Sequence, residues 1–354
     1  MKHTRTKRGV AAALAVVAAL ALAACSSSEE PTGASSPTAG GDSGAAFPVS
    51  IEQKFGTTTI PAQPERIVTV GFHEQDWLYA LGVAPIAVRE WYGGYEYATW
   101  PWADDARKAV GAEPTVLSNG DLDMEAIAAL SPDLIIATWS GITQEQYDLL
   151  SQIAPTLAQS GDYADYGMPF AEETRSIAKA VGKVEEGEKI IAEVEDKIAA
   201  IKEAHPDWAN YSASVNFFYQ GQPGAYFSID PRPALIGQLG PDITKIDRLG
   251  DPAVDFYITV SPENLDELDA DANIWLGATE PGTQETVEGL PLYESMQATK
   301  VGGQIWSTDG VFEGAFSFAS PLSIAYALDV LVPQLEAAFD GDPSTLPSGI
   351  TPAS

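Results

Sequence analysis

Residues 91–102 read WYGGYEYATWPW, and six of the twelve are Trp or Tyr: Trp91, Tyr92, Tyr95, Tyr97, Trp100 and Trp102. Two glycines and a proline interrupt them, and no helical or strand period runs through the stretch. Aromatic rings offer wide contact area at little rotamer cost, so a loop this rich in them suits the recognition of a bulky ligand. The chemistry is that of binding rather than turnover. A hydrolase would need a nucleophile, a base and an orienting group. No Gly-x-Ser-x-Gly occurs, and His73 is the one histidine placed to serve as a base. A surface-anchored hydrolase is therefore a remote alternative.

Other side chains could join the aromatic loop. Beyond the first residues the chain has six arginines: Arg66, Arg89, Arg107, Arg175, Arg232 and Arg248. Arg89 stands just ahead of the loop, and Arg232 lies in SIDPRPALIG, just before a helix. The planar guanidinium fork suits negatively charged ligand oxygens, although a surface ion pair is the equal reading for either. Trp139 ends a strand at 134–137, Tyr219 ends the strand VNFFY, and Tyr226 lies in the hairpin that follows. Phe312 and Phe316 fall in TDGVFEGAFSFASP, read as a loop before the last helix. Each of these aromatics either touches ligand or caps a core. His73, in GFHEQD, could hydrogen-bond a ligand, ligate haem iron, or cap the next helix. His205 is the only other histidine of the body, so clustered-histidine zinc sites are disfavoured. No resident cofactor and no direct metal site is expected.

The elements that must position these residues alternate. PERIVTVGFHEQDWLYALGVAPIAVRE (64–90) reads as strand, turn, helix, strand, with a β-branched run of Ile67, Val68 and Val70 and a second strand starting at Ile86–Val88. DMEAIAALSPDLIIATWSG and TQEQYDLLSQIAPTLAQ repeat the rhythm. Such alternation predicts an α/β unit with parallel strands. The aromatic loop then leaves the carboxyl end of the strand at 86–88, where such sheets bind ligands. Residues 170–204 break the rhythm: Ile177, Val181, Val184, Ile191, Val194, Ile198 and Ile201 recur at helical steps. One long amphipathic helix is predicted there, tolerating Gly182 and Gly187. Alternation then resumes through SASVNFFYQ, ALIGQLG, ANIWLGA and PLSIAYALDVLVPQLEAAF.

The two halves share a pattern. At an offset of 138, Glu125 matches Glu263, Ile127 matches Leu265, Leu130 matches Leu268 and Asp133 matches Asp271. Both copies precede a strand, on opposite sides of the long helix. The expected architecture is two similar lobes with a ligand cleft between them: an N-terminal lobe at 47–169, a connecting helix at 170–204, a C-terminal lobe at 205–342 and a flexible tail at 343–354.

Ahead of the lobes, MKHTRTKRGV carries four bases and no acid, and AAALAVVAALALAA is apolar and too short to span a membrane. Residues 1–24 are therefore expected to be a signal peptide. LAAC, ending at Cys25, resembles a bacterial lipobox, which implies cleavage before Cys25 and lipidation of it. Cys25 is the single cysteine, so neither an internal disulfide nor a cysteine-based metal site is available. The rest of 25–46 is Ser, Gly, Pro, Thr and Ala with a few acids, a composition that cannot bury apolar surface. It should act as a flexible tether with a reach of roughly 25 Å. The chain carries a formal charge of −31, about −35 without the four leader bases, which disfavours nucleic-acid binding.

Over about 47–340 the chain resembles the substrate-binding lipoproteins of ABC importers that take up ferric siderophores, a group with haem- and cobalamin-binding relatives. The resemblance rests on PERIVTVGFHEQDWLYALGVAPIAV, DMEAIAALSPDLIIATWSGITQEQYDLLSQIAPTLA, TRSIAKAVGKVEEGEKI and TVSPENLDELDADANIWLGA. It implies α/β architecture with two Rossmann-like lobes joined by a single long helix, and a stiff body that closes little. It implies a monomer, lipid-anchored on the extracytoplasmic face of the cell membrane, that binds an Fe(III)-siderophore chelate and delivers it to a permease. Haem or cobalamin is the alternative ligand within the same fold. The resemblance also gives Glu125 and Glu263, one per lobe, the role of docking onto permease arginines. At a helix start a carboxylate is also favourable on purely structural grounds.

Overall fold

Short runs of β-branched and aliphatic residues form the strands, and helix-periodic segments cross between them. The computed structural model describes residues 47–278 and 280–352. The expected signal peptide, Cys25 and the tether lie outside the described residues. A hairpin of β1 (Val49–Gln53) and β2 (Gly56–Ile60) comes first, burying alternate residues of β1. β3 (Ile67–Thr69), β4 (Ala87–Arg89), β5 (Thr115–Leu117), β6 (Leu134–Ala137) and β7 (Thr156–Ala158) form the N-terminal sheet. Its order is β5-β4-β3-β6-β7, and every pairing is parallel. β3 and β6 are buried on both faces, which explains their unbroken apolar sequence.

From central β3 the chain moves outward one way through β4 and β5, and the other way through β6 and β7. The carboxyl ends of β3 and β6 therefore flank a topological switch point, the usual place for a ligand crevice. His73 follows β3, Trp139 follows β6, and the aromatic loop follows β4.

The C-terminal sheet repeats the plan with β8 (Ala213–Tyr219), β9 (Gln222–Tyr226), β10 (Tyr257–Thr259), β11 (Ala272–Leu276) and β12 (Gln304–Ser307). Its order is β10-β9-β8-β11-β12. β8, β11 and β12 run parallel, whereas β9 is antiparallel to both neighbours. Gln220 and Gly221, at φ 50° and 82°, form the two-residue turn that replaces a crossover helix. This hairpin carries Tyr219 and Tyr226.

The segment 170–204 is two helices rather than one. Phe170–Ala180 ends where Gly182 adopts φ 72°, and Val184–Ala204 begins after it. Residues with apolar spacing on both sides of the break concealed it. Ile177, Ala178 and Ala180 of the first helix pack into the N-terminal core. The second helix, 21 residues long, joins the lobes. Its Ile190 packs against the N-terminal core, and Val194 and Ile198 belong to the C-terminal one. Gly187 lets the two helices approach, since a Cβ there would stand 2.5 Å from that of Ala178.

The segment 343–354 is also not free throughout. Ile350 is buried and bridges Ser307 beside β12, donating from its N–H to the Trp306 carbonyl at 2.7 Å. No helix among the described residues is long and apolar enough to cross a membrane.

Candidate ligand cleft

The loop after β4 folds back through two short 3-10 turns, Glu96–Ala98 and Pro101–Ala103. Gly93, at φ 100°, is required there, because a Cβ would lie 2.8 Å from the Trp100 ring. The six aromatics then divide their work. Trp91, Tyr92 and Tyr95 are half-buried and line a cleft of about 1310 Å³. Trp100 also borders it but is 97% buried, stacked on Trp102 with ring centres 4.8 Å apart. Tyr97 lies instead under the Arg107 guanidinium, at 4.6 Å.

The opposite wall comes from the C-terminal hairpin and its neighbour. Tyr219 and Tyr226 line it together with Phe217, Phe256 and Tyr257. The last three were not anticipated. Their signal was the outward run of aromatics at the ends of β8 and β10, which read equally well as core. Tyr219 is 54% exposed at the rim.

Arg232 also lines the cleft. Its Nε and Nη2 donate to the two carboxylate oxygens of Asp230 at 2.8 and 2.7 Å. The guanidinium lies 3.4 Å from the centre of the Tyr226 ring. Burial pushes the Tyr92 phenol up to about 12 and raises Tyr226 as well, so both remain protonated hydrogen-bond donors at neutral pH.

Other expected contacts sit elsewhere. Arg89 is buried beneath Phe72 and donates to the carbonyls of Val70, Asn119 and Gly120. It shapes the floor of the N-terminal wall rather than presenting its fork to the cleft. Phe312 and Phe316 are fully buried in the C-terminal core. The stretch read as a loop is a helix, Gly310–Phe318, capped by the Asp309 carboxylate accepting from the Val311 N–H at 2.8 Å. Their i, i+4 spacing was the overlooked helical signal. The aromatic that does reach the lobe junction is Phe318, with ring centres 5.3 Å from Trp91 and 5.7 Å from Trp100.

Trp139 and His73 line a second inter-lobe cavity of about 450 Å³, with Tyr166, Phe170, Ile198 and Leu235. His73 is 1% exposed, and no side-chain cap joins it to the helix it precedes. Its Nδ1 lies 2.9 Å from the Phe318 carbonyl of the other lobe, and its Nε2 lies 3.2 Å from Glu173. Burial opposes its charge, but Glu173 and Glu74 outweigh that and raise its pKa. Both ring nitrogens are thus engaged within the protein. No group of three or more His, Cys, Asp or Glu that could hold a metal occurs among the described residues.

Away from the cleft, Glu125 is the second residue of the helix Met124–Ala129, and Glu263 the second residue of the 3-10 helix Pro262–Leu268. Both are exposed, one on each lobe.

Comparison with known proteins fits this geometry. The curated "Probable siderophore-binding lipoprotein YfiY" of Bacillus subtilis is 26% identical over 85% of this chain and 92% of its own length. A periplasmic solute binding protein of Mycobacterium smegmatis, known from its crystal structure, is 34% identical, with a TM-score of 0.68 over 80% of this chain and 96% of its own. PiaA of Streptococcus pneumoniae, crystallised in complex with ferrichrome, is 25% identical with a TM-score of 0.72, over 83% of this chain and 99% of its own. The family model described as "Periplasmic binding protein" matches residues 67–307, both lobes and the helix between them, and the chain belongs to that family.

Proposed function

We propose that this chain captures a ferric siderophore between its lobes and delivers it to the permease of an ABC importer. The observation that carries the reading is the cleft of about 1310 Å³ with aromatic walls from both lobes. Its size and breadth suit a chelate whose iron is already wrapped in ligand oxygens, so the protein need not ligate the metal. Trp91, Tyr92, Tyr95, Tyr219 and Tyr226 supply contact surface, and the protonated phenols of Tyr92 and Tyr226 supply neutral donors. Relatives named for siderophore, Fe(3+)-citrate and iron(3+)-hydroxamate binding support the same class. Haem is the weaker reading, because His73 is buried and occupied at both nitrogens.

Binding without turnover, a lipid anchor on Cys25 and a monomeric state complete the proposal. One chain carries both walls, and two relatives are named as lipoproteins. Glu125 and Glu263 are the proposed permease contacts.

Tryptophan fluorescence tests the ligand class. Titration with ferric and iron-free siderophores, haem and cobalamin should give saturable quenching with a ferric siderophore, weakened at least about tenfold in a Trp91→Ala, Tyr95→Ala double variant. Saturation by haem or cobalamin alone would overturn the ligand and leave the fold reading in place.

A further inference from the structure

The charges around the cleft are few and unevenly placed. Arg232 is the only cation among its described lining residues, against the exposed carboxylate Glu280 and the buried Glu313, which accepts from the Gly277 and Ala278 N–H groups at 2.9 Å. Arg232 is itself bound through two donors to Asp230, a bidentate pair that cancels its charge and occupies its fork. The remaining Nη1 reaches Ser317 at 3.5 Å. Arg89, behind the N-terminal wall, donates to three backbone carbonyls, and Glu74 and Asp121 face it electrostatically. No lysine lines the cleft among the described residues, and the chain as a whole carries −31. What the walls offer instead is ring surface and neutral donors: the phenols of Tyr92 and Tyr226, Asn119 and Gln222.

Iron chelates differ sharply in charge. Three hydroxamates cancel the charge of Fe(III), and an amine tail makes such a complex cationic. Three catecholates leave a trianion, and citrate complexes are also anionic. A partly desolvated cleft with surplus carboxylates and one neutralised arginine repels an anion, because Coulomb energies strengthen as water is excluded. Accepting it would leave charged oxygens without a cationic partner. Hydroxamate oxygens need only neutral donors. We infer that this cleft selects ferric tris-hydroxamates, neutral or cationic, and discriminates against tris-catecholates and citrate complexes. The inference rests on the siderophore reading above and narrows it to one chemical class.

The test uses the full chain in detergent and four probes: ferrichrome (neutral), ferrioxamine B (cationic), ferric enterobactin (trianionic) and ferric citrate. The two hydroxamates should bind at least about a hundredfold more tightly than the two anions, with the gap shrinking as salt rises. Asp230→Asn keeps a helix-capping side chain but frees the guanidinium, and should narrow the gap about tenfold. Glu280→Gln, at a surface turn, should narrow it in the same sense without disturbing the arginine. Equal or tighter binding of enterobactin or citrate by the unmodified chain would overturn the charge selection while leaving the importer reading intact. A gap that neither salt nor either variant changes would overturn the electrostatic cause. Failure of all four probes to bind would overturn both readings.

Discussion

Asp133 and Asp271 do the same work in the two lobes. The Asp133 carboxylate accepts from the backbone N–H groups of Glu65 and Arg66, both at 2.8 Å, just ahead of β3. Asp271 accepts from the N–H of Ser212 at 2.9 Å and from its hydroxyl at 2.6 Å, just ahead of β8. In each lobe the aspartate immediately precedes the strand that pairs with that central strand: Leu134 opposes Ile67, and Ala272 opposes Ala213. The repeat at an offset of 138 is therefore a register device that fixes where two neighbouring strands begin. Replacing Asp271 with Ala leaves the buried Ser212 hydroxyl and N–H without their acceptor. A loss of about 1–2 kcal/mol is expected, seen as a Tm lowered by a few degrees. Asp133→Ala should cost less, because its site is exposed to water. An unchanged Tm in the Asp271 variant would mean that the repeat has no such role.

The lobe junction contains a buried acid that makes stability depend on pH. Asp76 is 1% exposed and accepts from the Ser320 hydroxyl at 2.5 Å and from the Trp102 indole at 2.8 Å. Burial raises its pKa from 3.8 to about 6, against the opposing pull of those two bonds. A carboxylate raised in the folded state binds its proton more tightly there than in the unfolded chain. Its contribution is then fully present below about pH 4 and is lost as pH rises through about 6. The raised pKa values of His73 and Glu74 act in the same sense. Chemical denaturation at several pH values should show the native protein losing up to roughly 3 kcal/mol relative to Asp76→Asn between about pH 4 and 7.5. Parallel pH profiles for the two proteins would exclude the titration of Asp76 as the cause.

Much of the architecture was legible because strand and helix periods differ. The doubly buried run Leu134–Ala137 and the β-branched Ile67–Thr69 could hardly be anything but strands. The duplicated Glu and Asp positions then announced two lobes. What failed was local. Ile177, Val181 and Val184 keep a helical apolar spacing straight across Gly182, so periodicity could not register a break set by one glycine's positive φ. Arg89 looked available because sequence does not reveal three backbone carbonyls converging on it. Phe312 and Phe316 were hidden by surrounding glycines and by a Thr-Asp-Gly that reads as a turn, although that aspartate is the helix cap.

Gly314 sets how closely the lobes meet at the aromatic loop. It lies on the C-terminal helix Gly310–Phe318, and a Cβ there would stand 2.5 Å from the Trp100 ring. Trp100 is boxed in by Tyr92, Tyr95 and Trp102, with ring centres 4.7–5.0 Å away, so it has little room to give. Gly314→Ala should therefore cost about 1–3 kcal/mol through overpacking, despite the better helix propensity of alanine. Because Trp100 also borders the cleft, ligand affinity should fall with it, by about tenfold. Thermal unfolding and fluorescence titration of one variant check both effects, and native values in each would show that the contact is slack.

Transport can be separated from binding at the exposed glutamates. Glu125 and Glu263 lie outside the cleft lining, and among the described residues neither side chain has a hydrogen-bond or ion-pair partner. An exposed, unpaired carboxylate contributes little to folding, apart from a favourable placement at its helix start. If each meets a permease arginine, its loss removes a charge-assisted contact that forms only in the complex. Uptake of labelled chelate by cells carrying Glu125→Ala or Glu263→Ala should fall several-fold, and more steeply in the double variant, while the purified proteins bind chelate as before. Arginine at either position should be worse than alanine, since it sets like charges against each other. Undiminished uptake in the double variant would remove both residues from the docking surface. An equal fall in chelate affinity would instead place them in the response of the cleft itself.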